Sequence, residues 1–170
     1  IVRVNSHRLG NPLDPDITLG PMASPRLAKL VRKQISAAIK KGATPHIERF
    51  AKDDGEAYLS PQILTNVNHE MDIMREENFG PVVGVMPVKD DIEAIRMMND
   101  SHYGLTASLW TGNLKRAEQI GKRVETGTVF MNRADYLDPA LCWTGCKDTG
   151  RSGGLSSIGY QNLTRPKSFH

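Results

Sequence analysis

Between residues 82 and 131 short apolar runs alternate with longer amphipathic ones, and this alternation restricts the fold more than any other feature of the chain. Residues 82–88 are valine-rich and read as a buried strand. Asp90-Asp91 then caps a helix that turns Ile92, Ile95 and Met98 inward. Residues 105–110 read as strand, 114–124 as helix and 128–131 as strand again. Strands separated by helices pair in parallel, because each right-handed crossover carries the chain back across the sheet. The predicted class is α/β, a mostly parallel sheet with flanking helices. Residues 82–88 and 128–131 are its expected central strands, and residues 163–168 are expected toward an edge.

The first half supplies further elements. Residues 1–4 read as the tail of a strand or helix, and residues 9–21 as loop. Ser24-Pro25 is an N-cap followed by a proline at the first helical position, where its missing N–H costs nothing. Leu27, Leu30, Val31, Gln34, Ile35, Ala38 and Ile39 then share one helical face, and Gly42 closes the helix. Asp53-Asp54-Gly55 reads as the turn of a hairpin between residues 46–50 and 57–59. Residues 63–67 read as strand and 70–75 as one helical turn. Residues 132–159 are mostly loop, and a loop of that length inside a compact domain is usually a working part.

Charge and cysteine content exclude several classes. A chain of 170 residues fits a single domain with a sizeable core. Its net charge of +3 comes from interspersed signs, which argues for neither nucleic acid nor membrane. Arg32, Lys33, Lys40 and Lys41 read as the solvated face of a helix. His7, His46, His69, His102 and His170 are dispersed and make no metal pattern, and Cys142 and Cys146 have no histidine pair beside them. Gly150-Arg151-Ser152-Gly153-Gly154 reads as no dinucleotide loop, because no strand leads into it and no helix follows.

The segment Glu76-Glu77-Asn78-Phe79-Gly80-Pro81-Val82 carries the chemistry. Gly-Pro at the mouth of a strand makes a rigid loop. Glu77 and Phe79 stand two apart in an extended approach and so project to one side. A carboxylate beside an aromatic face suits a ligand that offers hydroxyls and a flat ring. The plain alternative is a solvated acid pair before a core phenylalanine.

This segment resembles a signature of the NAD(P)-dependent aldehyde dehydrogenase superfamily, and the resemblance continues in order along the chain. Gly20-Pro21-Met22 is similar to the family's Gly-Pro before a long helix. Tyr103-Gly104-Leu105-Thr106-Ala107-Ser108-Leu109-Trp110-Thr111 resembles its Tyr-Gly-Leu-x-Ala-x-x-Trp-Thr run, and Gly127-Thr128-Val129-Phe130-Met131-Asn132 its Gly-x-Val-x-x-Asn. Trp143-Thr144-Gly145-Cys146-Lys147-Asp148-Thr149-Gly150-Arg151 resembles the late Gly-x-Lys-x-Ser-Gly-x-Gly block, and Leu163-Thr164-Arg165-Pro166-Lys167-Ser168 the family's Tyr-Thr-x-x-Lys segment. Each motif alone is weak; their shared order is not.

The resemblance implies an incomplete aldehyde-dehydrogenase-like catalytic domain, the C-terminal third or so of an enzyme that oxidises an aldehyde to a carboxylic acid with NAD or NADP. It implies that the nucleophilic cysteine and general-base glutamate lie upstream, so that no catalytic residue sits in residues 1–170 and the isolated chain is inactive. Glu77 is then expected to accept hydrogen bonds from the nicotinamide-side ribose, with Phe79 packed near the nicotinamide. Asp135, Tyr136, Leu137 and Trp143 are expected to form a wall of the substrate passage. Trp143-Thr144 departs from the usual aromatic-Gly pair, and Cys142 replaces a proline. Residues 1–170 are expected to be one domain, with a functional loop at 132–159 and the start of an oligomerisation segment at 160–170. The implied partners are an aldehyde and further copies of the chain, without nucleic acid or membrane, in cytoplasm or an organelle matrix. Two alternatives stand: an inactive structural or oligomerisation piece, and a CoA-acylating or other reductase on the same scaffold.

Overall fold

The computed structural model describes residues 1–48, 57–134 and 136–170. The chain divides into two compact units, Ile1–Pro87 and Val88–His170.

The first unit begins with a short helix, α1 (Val2–Asn5), and is organised by α2 (Pro25–Lys40). The Ser24 hydroxyl accepts a hydrogen bond from the Leu27 N–H at 3.3 Å, so the expected cap forms. Gly42, at φ +102°, turns the chain out of the helix in a conformation that disfavours side chains. The buried face of α2 is Ala28, Val31, Gln34, Ile35 and Ala38. Leu30 and Ile39, expected inward, are 43% and 37% exposed. The helix is covered along a narrower stripe than its apolar arc.

Three strands follow in the spatial order β1 (Thr44–Pro45), β2 (Gln62–Thr65), β3 (Val82–Gly84), with the helical turn α3 (Asp72–Arg75) between the last two. β1 runs antiparallel to β2, and β3 runs parallel to it with Gln62 opposite Val82. The core gathers Val31, Ile35, Ala38, Leu64, Val67 and Met71. The hairpin read around Asp53-Asp54-Gly55 lies mostly outside the described residues.

The expectation of a buried central strand at 82–88 is corrected. β3 ends at Gly84, has one strand neighbour among the described residues, and leaves Val83, Val85 and Val88 at 52%, 50% and 43% exposed. Side chains alternate across a strand. Val82 is half-buried, and Gly84 faces Met74 and Val67, while the intervening valines face away. A continuous valine run does not distinguish a strand covered on both faces from one covered on one.

A buried glutamine joins the strands. Gln62 is 1% exposed. Its Oε1 accepts from the N–H groups of His46, Ile47 and Ile63 at 2.9–3.0 Å, and its Nε2 donates to the Ile47 carbonyl at 3.1 Å. The side-chain amide thus does for Ile47 what a neighbouring strand would do.

The second unit contains α4 (Asp91–Asn99), β4 (Tyr103–Gly104), β5 (Thr106–Leu109), α5 (Leu114–Gly121), β6 (Thr128–Met131), β7 (Cys146–Lys147) and α6 (Ser156–Asn162). Asp90 caps α4 by accepting from the Glu93 N–H at 2.8 Å, and the Glu93 carboxylate accepts from the Lys89 N–H at 2.8 Å. Asn113 caps α5 by accepting from the Arg116 N–H. β5 and β6 pair in parallel from Thr106–Thr128 to Leu109–Met131, as the strand–helix–strand pattern requires. β4 and β7 pair antiparallel.

Other expectations are corrected here. Ile95 is buried but Ile92 is 67% exposed, because the packed face of α4 is centred on Ile95. Among the described residues β6 has a single strand neighbour, β5, and residues 163–168 form no strand. The expectation of loop over residues 132–159 stands: the described residues there are mostly loop, interrupted by β7 and the first turn of α6.

α4 and α5 are joined by a two-point ion pair. Arg116 donates from Nε to Asp91 Oδ2 at 2.6 Å and from Nη2 to Oδ1. The hydrogen bonds from Arg116 hold the Asp91 carboxyl below its usual range. A depressed carboxyl pKa adds stability above the unfolded value and loses it as pH falls through the folded one. In Arg116→Gln the Asp91 carbon resonance is therefore expected to titrate at higher pH than in wild type. Coincident titration curves would contradict the pairing.

Candidate functional site

α3 ends at Arg75 and Glu76 turns extended, φ −89° and ψ 143°, so residues 76–81 leave the helix as a loop leading to β3. Glu76 and Glu77 are exposed, and Phe79 is 77% exposed. Water is a poor place for a phenyl ring, so this exposure distinguishes Phe79 from a core residue. The core reading of Phe79 is thus not what the unit shows.

The base of the loop is held firmly while its tip is open. The Asn78 side chain accepts from the Gly80 N–H at 3.4 Å. The Pro81 carbonyl accepts from the Gln62 N–H at 2.8 Å. Gly80 lies directly on α2, where a methyl added to it would meet the two Val31 methyls at 2.9 and 3.0 Å. A cavity of about 320 Å³ opens beside this base, lined by Gly80, Pro81, Val83, Ile63, His7 and Leu19. The loop presents an acceptor-only carboxylate and an aromatic face from a fixed support.

In the second unit, Asn132 follows β6 with φ 55°. Its side chain accepts from the Thr111 N–H at 2.8 Å and donates to the Thr111 carbonyl at 2.9 Å. The chain therefore leaves the carboxyl ends of parallel strands at a set point, where α/β folds commonly build sites. Beyond it, Tyr136 and Leu137 are 54% and 55% exposed, and the Arg133 guanidinium lies 4.2 Å from the Tyr136 ring centroid. Asp135 lies outside the described residues. Trp143 is half-buried, and its backbone exchanges two 2.8 Å hydrogen bonds with Gly154. A largely apolar cavity of about 770 Å³ borders this loop, lined by Pro139, Gly153, Leu155, Tyr160 and Leu163 among others.

Lys147 has a role that the sequence reading did not assign. Its ammonium donates to the carbonyls of Asn99 and Ser101 at 2.7 and 3.0 Å and pairs with Glu125 at 2.8 Å. It occupies the lysine position of the Gly-x-Lys run and ties β7 to the end of α4. Its place between Gly145 and Gly150, in the Gly-x-Lys run, was the available signal. The run from Gly150 to Gly154 does lie between a strand and a helix, which corrects the sequence reading. That strand is the two-residue, antiparallel β7. Cys142 and Cys146 are free and half-buried, and among the described residues no three His, Cys, Asp or Glu side chains converge as metal ligands. No helix among the described residues is long and apolar enough to cross a membrane.

Comparison with known proteins identifies the family. The model of the aldehyde dehydrogenase family matches residues 1–169. A succinate-semialdehyde dehydrogenase [NADP(+)] of Deinococcus radiodurans is 35% identical over 158 residues, which is 93% of this chain and 33% of that protein. Among solved structures, succinic semialdehyde dehydrogenase of Streptococcus pyogenes in complex with NADP+ superposes with a TM-score of 0.87 at 31% identity, over 94% of this chain and 35% of that one. An aldehyde dehydrogenase of Mycobacterium tuberculosis complexed with NAD+ gives a TM-score of 0.88 at 29% identity, over 95% and 34%. The chain thus spans about a third of the length of the curated relatives it matches.

Proposed function

This chain belongs to the aldehyde dehydrogenase family, and on that premise we propose that it is the C-terminal part of an enzyme oxidising an aldehyde to a carboxylic acid with NAD or NADP. Its share of the work is to orient the cofactor and to form one wall of the substrate passage. The nucleophile and the general base come from the remainder of such an enzyme, so residues 1–170 alone turn over no aldehyde. Residues 160–170 begin a segment through which copies of the enzyme associate.

The observation that carries this reading is the exposed pair Glu77 and Phe79 on a loop whose base is pinned. These residues fit a nicotinamide nucleotide. The Glu77 carboxylate has acceptors for both ribose hydroxyls, and Phe79 offers a flat face to the adjoining ring. The bound cofactor supplies the hydride acceptor; the chain supplies its placement. In the second unit, Tyr136, Leu137 and Trp143 form the wall, with apolar area from Leu137 and the two aromatic residues; Asp135, expected beside them, lies outside the described residues.

The test is made in the full-length enzyme. Glu77→Gln keeps size and one acceptor oxygen but loses the charge. Hydrogen bonds to a charged group are worth about 1.5–3 kcal/mol, so cofactor use is expected to fall roughly ten- to hundred-fold. The loss should include hydride transfer, read from the isotope effect with a deuterated aldehyde, since a loose ribose lets the ring leave its reacting position. Glu76→Gln is expected to change little. Equal, near-zero effects at both positions would return Glu77 to an ordinary solvated acid.

A further inference from the structure

The Glu77–Phe79 tip is open, yet the next residue, Gly80, is packed directly on α2. Gly80 has no side chain, and the space a methyl would fill is taken by Val31, whose methyls would stand 2.9 and 3.0 Å and whose Cβ would stand 3.3 Å from it. Real Cβ atoms seldom tolerate such distances. Val31 cannot move aside easily, because it is 2% exposed within the core cluster of α2. On the far side of Gly80, the Pro81 carbonyl is held by the Gln62 N–H. The loop is thus supported from α2 below and from β2 behind. Its height above the helix is set by the volume of one valine.

We infer that Val31 is a positioning residue for the cofactor-facing loop, acting through its contact with Gly80. This inference rests on the proposed role of Glu77 and adds a residue on another element, 46 positions earlier in the chain, whose bulk sets where that carboxylate and Phe79 stand. Val31 touches no ligand in this account. A shift at the loop base is carried to its tip, because residues 78–81 are restrained by the Asn78 turn and the proline ring. A displacement near 1 Å of a positioning group costs on the order of a hundredfold in rate.

The geometry makes an unusual demand on mutants. Gly80→Ala lifts the loop and Val31→Ala removes its support. Together the new methyl at 80 occupies space vacated at 31, so the double variant should outperform each single one. Five variants of the full-length enzyme, Glu77→Gln, Gly80→Ala, Val31→Ala, Val31→Ala/Gly80→Ala and Val31→Ile, are compared on the cofactor KM, on kcat and on the isotope effect with deuterated aldehyde. Gly80→Ala is expected to lose roughly tenfold or more in cofactor use. The double variant should recover most of it, and Val31→Ile, which adds a methylene to a filled site, should lose cofactor use in the same direction as Gly80→Ala.

A merely structural contact would change thermal stability and leave the split between KM and kcat, and the isotope effect, where they were. If Gly80→Ala fails to fold, the comparison of Val31→Ala with the double variant still decides the matter, because cofactor use must improve. A double variant no better than Val31→Ala, alongside a clear loss in Glu77→Gln, overturns the positioning role alone. No loss in Glu77→Gln overturns the cofactor reading and the inference with it.

Discussion

Gln62→Leu is expected to destabilise the Ile1–Pro87 unit by about 2–5 kcal/mol, although leucine matches the volume and the site is apolar around it. Gln62 is 1% exposed; its Oε1 accepts from three backbone N–H groups and its Nε2 donates to the Ile47 carbonyl. His46 keeps a backbone acceptor in the Ile63 carbonyl after the substitution. Ile47 relies on Gln62 for both its N–H and its carbonyl, and at 5% exposure it has little access to water instead. Each buried backbone group left unpaired costs about 1–3 kcal/mol. Equilibrium denaturation measures the loss, and amide exchange at Ile47 locates it. An unchanged denaturation midpoint would mean that the strand around residues 44–47 is held by something other than this amide.

Gly127→Ala is expected to cost more than about 3 kcal/mol, the upper range for overpacking a filled site. A methyl at Gly127 would stand 1.8 Å from the Thr144 carbonyl oxygen and 2.4 Å from its carbon. The obstacle is backbone, so no rotamer change relieves it. The segment around Thr144 would have to leave β6, taking with it the β4–β7 pairing and the Trp143–Gly154 bridge. A Tm drop of roughly 6–12 °C is expected for a chain of this size. Amide exchange at Trp143 and Asp148 should rise together. Gly112→Ala is the matched comparison, since a methyl there meets nothing within 4 Å. Equal Tm values for the two variants would refute the close approach.

Local signals in the sequence were reliable where the physics is local. Ser24 and Asp90, read as caps, each accept from an N–H three residues ahead, so caps are legible in a window of four; Asn113, which does the same, was not read as one. β6 has the bounds read for it, because Gly127 and Asn132 bracket its apolar run. The candidate cofactor loop was legible for the same reason: acid, aromatic and Gly-Pro are contiguous. Gln62 and Lys147 were not. A polar residue in a strand-like run carries no mark of what lies opposite it, and their partners are 15 and 46–48 positions away.

What the sequence determined by itself is the helices α2, α4 and α5, the parallel strands β5 and β6, the α/β class and the family, all of which depend on residues close together or on motifs in order. What the tertiary structure decided is which face of each element is covered. It exposes Val83 and Ile92, buries Gln62, and places Gly80 on Val31 and Gly127 on Thr144. Periodicity states that a face is apolar; only the packing of distant segments fixes whether another segment covers it, and at what distance.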